Sequence, residues 1–123
     1  MLFRSRSSIL FLRSPADGTW IVKRHRPEPP YLTEQVFESI WSHFEFAPTI
    51  WARNPELNEH KISAEHEAEL RRYHASLAIP IRGEERAVGM MILSYKARRG
   101  AVYNLDDLDQ LRSLAGKIGR AHV

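Results

Sequence analysis

Histidines are the residues of this chain best suited to chemistry, and there are six of them. His60, His66 and His74 lie among Glu59, Glu65, Glu67 and Glu69, and imidazole with carboxylate is a donor set for zinc. Their spacing argues against it. On a helix His66 and His74 fall two turns apart and His60 precedes the N-cap expected at Ser63, whereas a preformed zinc site pairs ligands one turn apart. They are read as solvated or helix-capping rings, and no metal is expected. His43, between Trp41 and Phe44, is the nearest candidate for a haem ligand; a lone histidine beside an apolar face is read instead as a core-edge residue with a hydrogen-bonded ring. Paired acids occur as Glu84 with Glu85 and Asp106 with Asp107. A hairpin turn and a helix start account for both, because acids stabilise a helix N-terminus. No GxSxG, GKS or HExxH pattern is present, so no catalysis is expected.

The sequence has no cysteine. That removes disulfides, thiolate metal sites, cysteine nucleophiles and thioether attachment of a cofactor together. Eighteen Lys and Arg against fifteen Asp and Glu leave a net charge of +3, a mild excess that suits acidic partners without defining one. Lys23, Arg24, His25 and Arg26, with Arg71, Arg72, Lys96, Arg98 and Arg99, carry the case for nucleic acid. No recognition-helix pattern accompanies them, and strand ends and loops bear such charge for solubility. No apolar run reaches membrane-spanning length, and the run Ile9 to Leu12 is too short for a signal peptide. A cytoplasmic domain without membrane contact is expected. A chain of 123 residues forms one domain around one core.

The elements that must position these residues centre on ASLAIPIRGEERAVGMMILSYK, Ala75 to Lys96. Its two apolar runs are too continuous for half-buried strands, so they are read as adjacent antiparallel strands covered on both faces, Ile79 lying in one and Met91 in the other. Gly83, Glu84 and Glu85 close the hairpin, the glycine expected at positive φ. Ser8 to Arg13 and Thr19 to His25 form a second hairpin across Pro15, Asp17 and Gly18. Pro27, Pro29 and Pro30 end it. Thr33 caps a helix whose Val36, Phe37, Ile40, Trp41 and Phe44 form an aromatic face. Pro48 to Trp51 is extended, Asn54 and Pro55 turn the chain, and Ser63 caps a short covering helix through about Arg72 with a thin stripe of Ala64, Ala68, Leu70 and Tyr73. Arg98 to Gly100 is a loop. Asn104 caps a last helix with a stripe of Leu105, Leu108, Leu111, Leu114 or Ala115, and Ile118, in which Gly116 and Gly119 permit close approach by a neighbour.

This order of elements resembles the GAF domain, a PAS-like small-molecule sensor module. SLAIPIRGEERAVGMMIL, with Pro80 and Gly89 in the matching places, NLDDLDQLRSLAGKIGRA as the closing helix, and TIWARNPEL as the segment bordering the pocket carry the likeness. It implies an α+β fold: a central antiparallel sheet of five or six strands, terminal helices on one face, and short helices and loops over a pocket on the other. The family usually has a helix before its first strand, and only Met1 to Ser7 precede Ser8, so the resemblance makes residues 1–123 an excised or N-terminally shortened piece of a longer signalling protein such as a sensor histidine kinase. Trp51, Leu70, Tyr73 and Ser76 fall near the implied ligand side. Leu108, Leu111, Ala115 and Ile118 fall on the helix that would relay a signal to an output domain or across a homodimer. Pigment-binding and sulfoxide-reducing members use cysteines that this chain lacks, and the cyclic-nucleotide signature finds no match at Asn58 and Lys61. No cofactor is named. The implied function is a regulatory domain that binds a small molecule; a ligand-free dimerisation scaffold is the alternative, and a nucleic-acid-binding domain the third.

Overall fold

The computed structural model describes residues 7–27, 29–45, 49–58, 61–94 and 103–122. Five strands, β1 (Ser8–Arg13), β2 (Trp20–His25), β3 (Trp51–Ala52), β4 (Leu77–Arg82) and β5 (Ala87–Leu93), are joined by helices α1 (Glu34–Phe44), α2 (Ala64–Arg72) and α3 (Leu105–His122). The sheet runs in the order β2-β1-β5-β4-β3, and every adjacent pair is antiparallel. Ile79 pairs with Met91, and both are buried, as two-sided cover of the central hairpin requires.

Alternation along each strand sorts its side chains into two layers. Phe11, Ala78, Met90 and Ile92 face α1 and α2, where Phe37, Ile40, Trp41, Phe44 and Trp51 complete an aromatic layer. Leu12, Leu77, Ile79, Ile81, Met91 and Leu93 face α3, whose Leu108, Leu111 and Ala115 pack on them. One irregularity interrupts the alternation. Ile81 pairs with Gly89 but Arg82 with Ala87, leaving Val88 as an extra residue on β5. Across this bulge Ala87 joins the aromatic side and Val88 the α3 side, as an inserted residue must cause.

Three helix starts follow from side-chain caps. Thr33 Oγ1 accepts from the Val36 amide at 3.3 Å, and Ser63 Oγ from the His66 amide at 3.2 Å. Asn104 Oδ1 accepts from the Asp107 amide while Asp107 Oδ2 accepts from the Asn104 amide, each at 3.0 Å, a reciprocal pair that satisfies two donors the helix leaves unpaired. Asn54, expected simply to turn the chain, caps a 3-10 turn over Pro55–Leu57.

Several local expectations change. Gly83 is not at positive φ; among the described glycines only Gly18 is, at +73°. The hairpin closes instead by the Gly83 amide donating to the Arg86 carbonyl at 2.9 Å. A Cβ on Gly83 would lie 2.8 Å from a methyl of Val88, so the space taken by the bulge accounts for the glycine. Leu105 is 65% exposed: the buried row of α3 is Leu108, Leu111, Ala115 and Gly119. Ala64 and Ala68 are exposed, which leaves Leu70 as the buried residue of α2. Pro48, His60, Lys96 and the Arg98 to Gly100 loop lie outside the described residues.

Candidate functional site

On the aromatic side, Phe11 and Phe37 stack with centroids 3.8 Å apart and planes 3° from parallel. Trp20 stands edge-on to Phe37 at 4.9 Å and to Trp41 at 5.0 Å. Such edge and offset contacts add to the area these rings remove from water. The indole N–H of Trp41 is buried and has no hydrogen-bond partner among the described residues, an unmet donor within the apolar layer. Trp20 donates its own to Glu38.

Three of the four residues expected on the ligand side meet in this layer. Trp51 and Leu70 are each 1% exposed, and Tyr73 packs half-buried against them. Trp51 Nε1 donates to Glu67 Oε2 at 3.3 Å, and Arg71 Nε donates to Glu67 Oε1 at 3.1 Å. Those bonds, with Trp51 first and Arg71 second, hold the Glu67 carboxyl below its usual pKa. Trp51 is thus fixed from outside by a carboxylate on α2. Ser76 does not join them: it lines a cavity of about 180 Å³ with Ala52, Arg53, Asn54, Leu57, Leu77 and Tyr103, whose apolar members belong to the α3 layer.

The helix-relay residues are also placed plainly. Leu108, Leu111 and Ala115 are 2%, 0% and 3% exposed inside their own chain, and Ile118 is half-buried at the margin of the same layer. Gly119 lies against β4 so closely that a Cβ there would be 2.4 Å from the Arg82 carbonyl oxygen. Gly116 meets nothing comparable; its nearest neighbour would be Nη1 of Arg120 at 3.2 Å.

His43 and His66 face each other across α1 and α2 with ring centroids 5.0 Å apart. His66 Nδ1 is 2.7 Å from Ser63 Oγ and its Nε2 is 3.2 Å from the Ser39 carbonyl oxygen. One tautomer satisfies both: the hydroxyl donates to Nδ1 and Nε2–H donates to the carbonyl. Both nitrogens are then engaged, and no group of three His, Cys, Asp or Glu suited to a metal occurs among the described residues. Burial, and after it the neighbouring His66, pushes the His43 imidazole below its usual pKa of 6.5. The folded chain therefore binds fewer protons at His43 than the unfolded chain does. This stability is whole above about pH 6.5 and falls as pH drops through the unfolded and then the folded pKa. Urea midpoints are expected to decrease between about pH 7.5 and pH 5.5, and less steeply in His43→Asn; equal slopes in the two proteins would contradict the assignment.

A larger cavity, about 540 Å³, opens at the end of the sheet, lined by Arg13, Ser14, Pro15, Gly18, Glu45, Arg86, Ala87, Val88 and His122. His122 Nε2 lies 2.6 Å from the Arg13 carbonyl oxygen, joining the last turn of α3 to the end of β1. These residues come from four distant parts of the chain and share no local motif. The only sequence signals near them are the two turns, Pro15 to Gly18 and Gly83 to Glu85.

The basic residues do not gather on one described surface element. Lys23 and Arg24 lie on edge strand β2, Arg71 and Arg72 on α2, and Lys96, Arg98 and Arg99 are outside the described residues. Arg24 Nη2 donates to the Leu32 carbonyl at 2.7 Å, and the Arg71 and Arg72 guanidiniums stand over Trp51 and Tyr73 at 5.7 and 5.8 Å. Among the described residues, no helix is long and apolar enough to cross a membrane.

A five-stranded antiparallel sheet with α3 on one face and α1 and α2 over an aromatic layer on the other defines an α+β domain of the PAS-like kind. The GAF domain family model matches residues 14–121, and the chain belongs to that family. Its fold is similar to that of NpR6012g4, a red/green cyanobacteriochrome in its green light-absorbing state, with a TM-score of 0.54 and 13% identity over 98% of this chain and 83% of that one. It is also similar to the cyanobacteriochrome receptor PixJ, with a TM-score of 0.52 and 14% identity over 94% of this chain and 81% of that one. No curated protein matches the chain.

Proposed function

We propose that this GAF domain is a regulatory module without catalysis of its own, which binds a small molecule on the aromatic side of its sheet and passes the change through α3. The observation that carries the reading is that β4 and β5 serve both layers at once. Ala78, Met90 and Ile92 back the aromatic layer, while Leu77, Ile79, Ile81 and Met91 on the same strands carry α3. The Arg82 carbonyl against Gly119 leaves no slack between strand and helix. Packed interiors do not deform continuously, so a ligand that repacks one layer shifts the strands on which the other rests. Family membership favours the same reading, and the matched structures are of light-absorbing or receptor proteins. Without cysteine, the ligand is held without a thioether bond.

In this reading the domain is cytoplasmic and belongs to a longer signalling protein of the histidine-kinase type. Its output leaves α3 either into a following domain or across a homodimer formed on the outer side of the helix near Leu105. The second reading, a ligand-free scaffold, draws support from the close ring contacts of the aromatic layer.

All three tryptophans, Trp20, Trp41 and Trp51, belong to that layer, so their emission reports on it directly. In a metabolite-library thermal shift read by tryptophan fluorescence, a ligand at a hundredfold its Kd is expected to stabilise the fold by about 2.7 kcal/mol and to alter the emission of the native state. A library that moves neither quantity, with a dimer persisting in light scattering, would favour the scaffold.

A further inference from the structure

We propose that the cavity at the end of the sheet binds a small organic anion: one carboxylate or phosphate group on a compact apolar body. This goes beyond the sensory reading and does not depend on it, because the cavity lies apart from the cluster of Trp51, Leu70 and Tyr73. Its volume of about 540 Å³ suits a small metabolite. Ala87, Val88 and Pro15 give it apolar walls, while Arg13 at the end of β1 and Arg86 in the turn before β5 bring donors to it.

The walls are built rather than incidental. Gly18 at positive φ turns the chain between β1 and β2, the Ser14 amide donates to the Thr19 carbonyl at 2.7 Å, and Asp17 Oδ1 accepts from both the amide and the hydroxyl of Thr19. Arg13 is held in place by that turn. Its guanidinium lies 4.2 Å over the Trp20 ring, and Nη1 donates to the Gly18 carbonyl at 2.8 Å and approaches Glu38 at 3.6 Å. An arginine whose fork is fixed in advance loses little freedom when it binds an oxyanion. Beside it, the bulge at Val88 inverts the alternation, so that Ala87 shares the face of Met90 and Val88 that of Met91, and bulges of this kind re-aim side chains beside sites. The Ala87 amide donates to the Glu45 carbonyl at 3.2 Å, which ties the end of α1 to the same wall.

Among the described residues, Glu45 is the one carboxylate in the lining. It stands 3.8 Å from Arg86 Nη1, beyond hydrogen-bond length, and Arg86 is more than half exposed on its side chain. So loose a pair competes weakly with a ligand that accepts two parallel N–H bonds from the guanidinium. The repulsion of Glu45 toward an incoming anion gives the test its sign.

Amide chemical shifts of the full chain are followed as benzoate and pyrophosphate are added in separate titrations. Saturable shifts at Gly18, Ala87 and Val88 are expected, from benzoate if the site reads a carboxylate on an apolar body and from pyrophosphate if it reads phosphate. Arg86→Gln should weaken the bound probe about tenfold, the scale of one charge-assisted bond, and Glu45→Gln should tighten it. Unchanged melting temperatures would establish that both variants fold. The proposal is overturned if neither probe moves those amides, or if the two substitutions leave the affinity where it was.

Discussion

Phe37→Ala is expected to lower unfolding free energy by about 3 to 5 kcal/mol, the range for removing a fully buried aromatic ring, measured as a fall in urea midpoint at unchanged slope. Phe37 is 0% exposed and is the ring that the others share. It stacks on Phe11 of β1, meets Trp20 of β2 edge-on, and lies 5.9 Å from Trp41 one turn along α1. Its removal therefore leaves a void between helix and sheet that no single neighbour can fill. Phe37→Leu keeps most of the volume but loses the stacked geometry, and should cost about 1.5 kcal/mol or less. If the alanine variant cost no more than the leucine one, the ring would not be the keystone of that layer.

Gly119→Ala is expected to destabilise by about 2 kcal/mol, in the range for forcing extra volume into a close-packed site. Helix propensity alone predicts the reverse, since alanine in a helix interior is favoured over glycine by about 1 kcal/mol. Geometry decides the sign: the added Cβ would meet the Arg82 carbonyl oxygen at 2.4 Å, and a backbone atom in a central strand cannot step aside. Gly116 supplies the control. There the Cβ meets only the mobile end of the Arg120 side chain at 3.2 Å, so Gly116→Ala should stabilise by about 0.5 to 1 kcal/mol. Opposite signs three residues apart on one helix would establish that α3 is seated on β4 at Gly119, and equal signs would remove that contact from the account.

Much of this architecture is written locally. The runs flanking Gly83 are too apolar for an exposed face, so the hairpin and its two-sided cover follow from burial alone, whereas the register that sets Ile79 opposite Met91 depends on the bulge. Thr33, Ser63 and Asn104 mark three helix starts because an unpaired first turn needs an acceptor there. The α3 stripe is harder to read. At 3.6 residues per turn Leu105 lies about 75° from the centre of the row Leu108, Leu111, Ala115 and Gly119, and a glycine gives no hydropathy signal for the position that approaches the sheet most closely. The bulge at Val88 is invisible because period-two reasoning assumes no inserted residue. Segment order groups Ser76 with Trp51, Leu70 and Tyr73, but it lines a separate cavity whose apolar walls, Ala52, Leu57, Leu77 and Tyr103, belong to the α3 layer. The end cavity depends on Arg13, Glu45, Arg86 and His122, whose meeting is set by topology and by no spacing along the chain.

In the proposed relay the aromatic layer and α3 belong to one cooperative unit through β4 and β5. Native-state hydrogen exchange of the α3 amides from Leu111 to Gly119, compared between the parent protein and Phe37→Leu, tests this most directly. Protection of α3 is expected to fall by the same free energy as that of the β4 and β5 amides. Exchange from α3 at its parental rate, while the strands exchange faster, would show that the helix opens independently and would contradict a relay from one face of the sheet to the other.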